Sequence, residues 1–267
     1  MSSTTVLAQA RSALEATARR AADLIRSLPD LSPPIPGSEW TVREAAVHLV
    51  NLAGIYTDIA GGMPSPFEGM SREALGGQNR RRIGDIPESD PDKVAALLTE
   101  AVSELLEMTA GRSGEQEVVF HAGVSLDLAG LMCISLGEHV LHGYDIARTV
   151  GSPWPIDPRH ARLVLSGYGP CCASWLDREA TSGLTVTYGI ELRGGGDLTV
   201  RFEDGSCQVA PRDSEVVDCV ISADPVALLL VGSGRVTQWE AIALGLYRTT
   251  GPMQPPRRTF MDLFAYP

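Results

Sequence analysis

The sequence predicts an α+β protein that is mainly helical, a four-helix bundle followed by a small α+β unit. Three observations carry this. The first 150 residues hold four segments whose apolar positions recur at helical spacing. Pro153-Trp154-Pro155 then interrupts the chain. From Leu184 onward the apolar positions alternate, with Gly-rich or Asp-rich breaks between runs.

The elements follow in order. Residues 6–28 place Leu7, Leu14, Ala18, Ala21, Leu24 and Ile25 on one helical face. The Pro-rich stretch from Leu28 to Gly37 cannot continue a helix and must be a connection. A second helix opens at Thr41, with Glu44 three residues on to complete a capping box and Trp40 placed to staple onto the first turn. His48 lies on its core side, with Ala45, Leu49 and Leu52. Residues 61–90, rich in Gly, Pro and Ser, form a long connection with room for one short helix near Arg72; so long a loop is more often functional than idle. The third helix spans about Pro91 to Ala110 and the fourth about Leu126 to Val150, ending at Gly151. A further helix is expected from Pro158 to Trp175. Strands are expected at 184–188, 198–202 and 219–221, then helices from Asp224-Pro225 to Leu230 and from Trp239 to Tyr247, the latter stopped by Gly251-Pro252. The expected division is 1–155 for the bundle, 156–180 for a connecting helix and 181–267 for the α+β unit.

Composition excludes several classes. A formal net charge of −11 makes nucleic acid a poor partner. No apolar run approaches the roughly 18 residues that cross a bilayer, so no membrane is expected. The first residues have neither the basic patch nor the apolar core of a secretory signal. Five cysteines without CxxC spacing suit reduced thiols in a cytoplasm, and Cys171-Cys172 reads as an adjacent buried pair. Gly194-Gly195-Gly196 and Gly232-Ser233-Gly234-Arg235 read as turns, since no helix start or Lys follows the first to make a phosphate loop. A monomer acting on a small molecule is expected.

The chemistry concentrates in Glu138-His139-Val140-Leu141-His142-Gly143-Tyr144-Asp145. Glu138 and His142 stand one helical turn apart on one face, a spacing at which a carboxylate and an imidazole can share a metal ion. With His48 they would supply three ligands and leave a position open, the catalytic form of a zinc site. From spacing alone the plainer alternative is an exposed helix pair and a satisfied core histidine. His139 is rotated about 100° from Glu138 and should face elsewhere. His121 lies in an irregular stretch before the fourth helix, and His160 looks like a surface histidine near a helix start. Asp145, one turn past His142, can orient that imidazole or be a solvated helix-end carboxylate.

Trp40-Thr41-Val42-Arg43-Glu44-Ala45-Ala46-Val47-His48-Leu49, followed about 90 residues later by the Glu138–Asp145 stretch, resembles the mycothiol-dependent maleylpyruvate isomerase family. That family belongs to the wider DinB-like group of metal-binding four-helix bundles. Asp224-Pro225-Val226-Ala227-Leu228 and Gly234-Arg235 extend the likeness to a small sterol-carrier-like C-terminal domain. The resemblance implies a divalent metal, usually zinc, on His48, Glu138 and His142. Its thiol cofactor is mycothiol, the low-molecular-weight thiol of actinobacteria. Asn79 and the following Arg80-Arg81-Arg82 sit where such proteins often carry an Asn and an Arg. Arg82 is taken as the catalytic residue of that run and would pair with a substrate carboxylate, although spacing does not fix which arginine points inward. Asn79 and Asp145 are taken as cofactor-side residues. The implied activity is addition of metal-activated mycothiol to a small electrophile, with cis–trans isomerisation or S-transfer as the outcome. Two rivals use the same scaffold: a non-catalytic ligand-binding or resistance protein, and a metal-dependent tailoring enzyme that needs no thiol.

Overall fold

The computed structural model describes residues 2–67, 70, 72–213, 216–251 and 260–264, the side chains of Arg72, Glu73 and Ala122 excepted. The chain divides into two compact units, Met1–Ile156 and Asp157–Pro267. No helix among the described residues is long and apolar enough to cross a membrane.

The first unit comprises helices α1 (Ser3–Arg26), α2 (Val42–Ala60), α3 (Arg72–Asp85), α4 (Pro91–Met108) and α5 (Leu128–Thr149), with a short hairpin of β1 (Glu117–Val119) and β2 (Ser125–Asp127). Helices α1 and α2 each pack on both α4 and α5, which closes a four-helix bundle. Each start is set by a side chain in sequence: Ser2 caps α1, Asp90 with Pro91 behind it caps α4, and Asp127 caps α5. Thr41 and Glu44 form the expected capping box on α2. Leu14, Ile25, Leu49, Leu98, Leu105 and Leu131 fill the interior completely buried, each contributing about 1.5–3 kcal/mol.

The connection at 61–90 differs from expectation. Its helix α3 runs fourteen residues, longer than the short helix expected near Arg72. Among the described residues of α3 only Ile83 belongs to the apolar core, so the segment lacks the periodic stripe that announces a helix. It is held from its end instead: the Arg43 guanidinium of α2 donates to the carbonyl of Glu88 at 2.8 Å and to that of Ile86.

The second unit starts with α6 (Pro158–Tyr168), a 3-10 segment (Gly169–Trp175) and α7 (Arg178–Thr181). A five-stranded sheet follows, from β3 (Thr185–Leu192), β4 (Leu198–Glu203), β5 (Ser206–Pro211), β6 (Cys219–Ala223) and β7 (Tyr247–Thr250), in the order β5-β4-β3-β6-β7. The β3–β6 pair is parallel and the others are antiparallel. Helices α8 (Pro225–Gly232) and α9 (Gln238–Ala243) lie between β6 and β7 in sequence, and α8 packs on α6. The apolar face of the sheet, with Tyr188, Ile190, Val200, Phe202 and Ile221, forms this unit's core.

Two boundaries moved. The helix from Pro158 ends at Tyr168, because Pro170 has no amide to continue the ladder and the chain tightens to 3-10 geometry. Helix α9 stops at Ala243; Gly245 turns at φ +69° and Tyr247 enters the sheet opposite Ala223. Pro252 lies outside the described residues. Strand β5 was not among the expected strands; Asp204-Gly205, both at positive φ, turn the chain into it from β4 as a two-residue hairpin. The Gly194–Gly196 turn joins β3 to β4 as expected.

One close contact fixes the region of α5 that carries His142. The Trp154 indole donates from Nε1 to the Val140 carbonyl at 3.0 Å, and the Arg20 guanidinium covers its ring at 3.8 Å. A Cβ on Gly143 would stand 2.2 Å from that indole. Replacing a helical Gly by Ala normally stabilises by about 1 kcal/mol. Here Gly143→Ala should destabilise by about 1–3 kcal/mol through overpacking, read as a lower urea midpoint at unchanged slope.

Candidate metal centre

His48 projects from the second turn of α2, and Glu138 and His142 from successive turns of α5. One ligand atom from each of the three lies within 4.8 Å of the others. The two imidazoles meet edge to face, with centroids 5.1 Å apart. His142 Nε2 stands 3.5 Å from Glu138 Oε2, and its Nδ1 stands 3.4 Å from Asp145 Oδ2. The ring is therefore turned with one nitrogen toward the cluster and the other toward a second carboxylate. A four-coordinate ion with bonds near 2.1 Å spaces its ligand atoms roughly 3.4 Å apart, so modest side-chain rotation brings all three to ligating distance.

Electrostatics favour the same use. Burial, reinforced by His142, pushes the His48 pKa down to about 3 against the opposing pull of Glu138. His48 is thus a neutral imidazole at pH 7, the form that binds a metal. Two imidazoles and one carboxylate suit zinc or a similar divalent ion and leave room for a further ligand.

The wall around this cluster holds residues that sequence reasoning treated otherwise. Trp40 does more than precede the cap of α2. Its ring packs on His48 at 4.7 Å and on His142 at 5.6 Å, shielding one side of the pair. The hydrogen bonds from Ile35 to Trp40 and from Val42 to Pro33 fold the connection back and bring it there. The signal was available: an aromatic residue two helical turns before His48, at the mouth of the same helix. His121 stands in the β1–β2 connection, among Phe67, Phe120 and Tyr56, with Ser65 Oγ 2.7 Å from its Nδ1.

Of the three adjacent arginines, Arg80 pairs with Glu39 at the surface at 3.2 Å and Arg81 is exposed. Arg82 is half-buried, and its Nε is enclosed with no acceptor among the described residues. The Arg82 guanidinium lies 5.8 Å from the Phe67 ring. Asn79 is half-buried three residues earlier on α3, one turn away on the same face. His139 is fully buried and donates from Nδ1 to the Ser135 carbonyl at 2.8 Å, outside the cluster. His160 is half-buried in α6, in the second unit. Arg235 donates to the Ser233 carbonyl within its turn. Burial raises the Cys171 and Cys172 thiols to about 12, which leaves them protonated and unreactive.

Burial also holds His121 and His139 down to about 4. All three folded pKa values lie below the unfolded value near 6.5, so this stability is complete above pH 6.5 and is lost as pH falls toward 4 and 3. Urea melts of chelator-treated protein should show stability declining over that window. His139→Leu should remove about one proton from the uptake on unfolding.

A family model described as the mycothiol maleylpyruvate isomerase N-terminal domain matches residues 13–147, and one described as the SCP-2 sterol transfer family matches residues 173–255. Two crystal structures of the mycothiol-dependent maleylpyruvate isomerase, one a histidine-to-alanine mutant, are similar in fold. The mutant matches with a TM-score of 0.54 and the other with 0.50; in each case identity is 16%, covering 97% of this chain and 98% of the other. A comparison with curated protein sequences returns no match. The first model spans just over half of the chain, and the chain belongs to the mycothiol-dependent maleylpyruvate isomerase family.

Proposed function

We propose that this chain is a metal-dependent enzyme that adds mycothiol to a small electrophile and either releases it isomerised about a double bond or leaves the thiol joined to it, an S-transfer. The observation that carries the reading is the meeting of His48 with Glu138 and His142 from two separate helices, in a chain of this family. A divalent cation bound there with an open position would lower the pKa of a thiol and supply thiolate at neutral pH.

The protein's own residues do the rest. His48, Glu138 and His142 hold the ion, and burial keeps His48 free of a competing proton. Asp145 orients His142 through Nδ1 and so directs Nε2 inward. Trp40 keeps water from one side of the imidazole pair. Arg82, with its enclosed Nε lacking an acceptor, pairs with a substrate carboxylate. Asn79, on the same face of α3, contacts the thiol's polar portion. Five free cysteines accord with a reducing compartment such as the cytoplasm.

Metal analysis of purified protein should find about one equivalent of zinc, lost in His142→Ala; equally metal-free proteins would sink the reading. Asp145→Asn should weaken zinc binding roughly 10–100-fold in a chelator competition. Calorimetry with mycothiol should give heat with zinc-loaded protein and none after chelation. Heat in neither form would favour an enzyme that works without thiol.

A further inference from the structure

The β1–β2 hairpin packs against both α2 and α5, the two helices that carry the ligand cluster. At its bend, in a 3-10 turn, stands His121. Phe120 stacks on its ring at 3.9 Å, Phe67 meets it edge-on at 4.5 Å, and Tyr56 of α2 lies at 6.1 Å. Ser65 Oγ holds Nδ1 at 2.7 Å. These contacts hold the ring between aromatic side chains and the serine hydroxyl.

The hydrogen bonds also fix where its proton sits. Ser65 is 5% exposed, and its Oγ already accepts the Phe67 amide at 3.2 Å. The buried hydroxyl hydrogen needs an acceptor, and His121 Nδ1 is the partner in place. Nδ1 therefore accepts. Burial holds the ring neutral at pH 7, with the charge of Glu138 offsetting only part of that effect. A neutral imidazole that accepts at Nδ1 carries its hydrogen on Nε2. That Nε2–H meets no acceptor among the described residues.

The hairpin that carries His121 lies against both ligand-bearing helices, Tyr56 of α2 borders its ring, and the charge of Glu138 on α5 acts on it. We propose that His121 is a catalytic residue whose Nε2–H donates a hydrogen bond to the carbonyl oxygen of an α,β-unsaturated carbonyl substrate. When a thiolate adds to the conjugated double bond, the C–S bond forms and the π electrons move onto that oxygen. When the C–S bond breaks, they return. The ring stabilises the oxygen's charge throughout and gives up no proton. This role rests on the thiol-addition reading above.

The probe is (Z)-4-oxopent-2-enoate, with zinc-loaded protein labelled with nitrogen-15 in histidine. NMR at pH 7 should show His121, assigned by its loss in His121→Phe, in the Nε2–H form. Its resonance should shift when the probe is added, and Ser65→Ala should erase the tautomer preference. A hydrogen on Nδ1, or a resonance the probe leaves unmoved, overturns the proposal. In turnover of the probe with mycothiol, His121→Phe should lower kcat by about 100-fold or more with KM changed only a few-fold. His121→Gln, which restores an N–H near the Nε2 position, should recover part of that loss; wild-type turnover in His121→Phe overturns the proposal. His121→Phe should keep its zinc; losing it would place His121 in the metal shell and likewise overturn a substrate role. If mycothiol gives no heat with zinc-loaded protein, the thiol reading fails while the tautomer and probe shift remain measurable, so the two failures are told apart.

Discussion

The contact between α2 and α5 is the constraint on which the functional geometry depends. These helices lie far apart in sequence, yet the bundle places the second turn of one beside the middle of the other, and His48 meets His142 edge to face. α5 can occupy this position because it is buried almost all round: Leu131, Met132, Cys133, Leu136 and Val140 are all core residues. Gly143 lets the Trp154 indole close against the helix beside His142. Any shift of α5 about its axis would swing Glu138 and His142 away from His48, since each residue along a helix turns by about 100°.

Burial gives this contact its chemical character. A histidine removed from water loses its affinity for protons, and His48, His121 and His139 are all held neutral in this way. The consequence differs with the partner of each ring. His139 donates to the backbone of its own helix. His48 faces another imidazole and a carboxylate, a set that suits a cation. His121 shares a hydrogen bond with a serine hydroxyl from a distant segment. Three rings of one residue type are thus given three uses by their hydrogen bonds.

The overall charge adds a further condition. With a formal net charge of −11 the protein does not attract anions from a distance. A carboxylate substrate would have to be recognised at short range, by donors taken out of water where each hydrogen bond counts for more. The enclosed Nε of Arg82 is of that kind, while Arg80 and Arg81, on the surface beside it, are screened by solvent and, for Arg80, by Glu39.

The sequence by itself determined the helices of the bundle, their caps and the change to strands, because periodicity and capping act between residues a few positions apart. Thr41 with Glu44, Asp127 ahead of α5, and the spacing of Glu138 and His142 are local patterns of this sort. The extent of α3 was not legible, since it is secured by Arg43 from another helix and has no apolar stripe of its own. β7 was hidden because its pairing with β6 spans more than twenty residues. Only the tertiary structure decided that Trp40 covers the imidazole pair, that the Nε of Arg82 is enclosed while Arg80 pairs at the surface, and that Ser65 meets the His121 ring. These are contacts between distant segments, and their geometry follows from how the helices pack against one another, which no short window of residues contains.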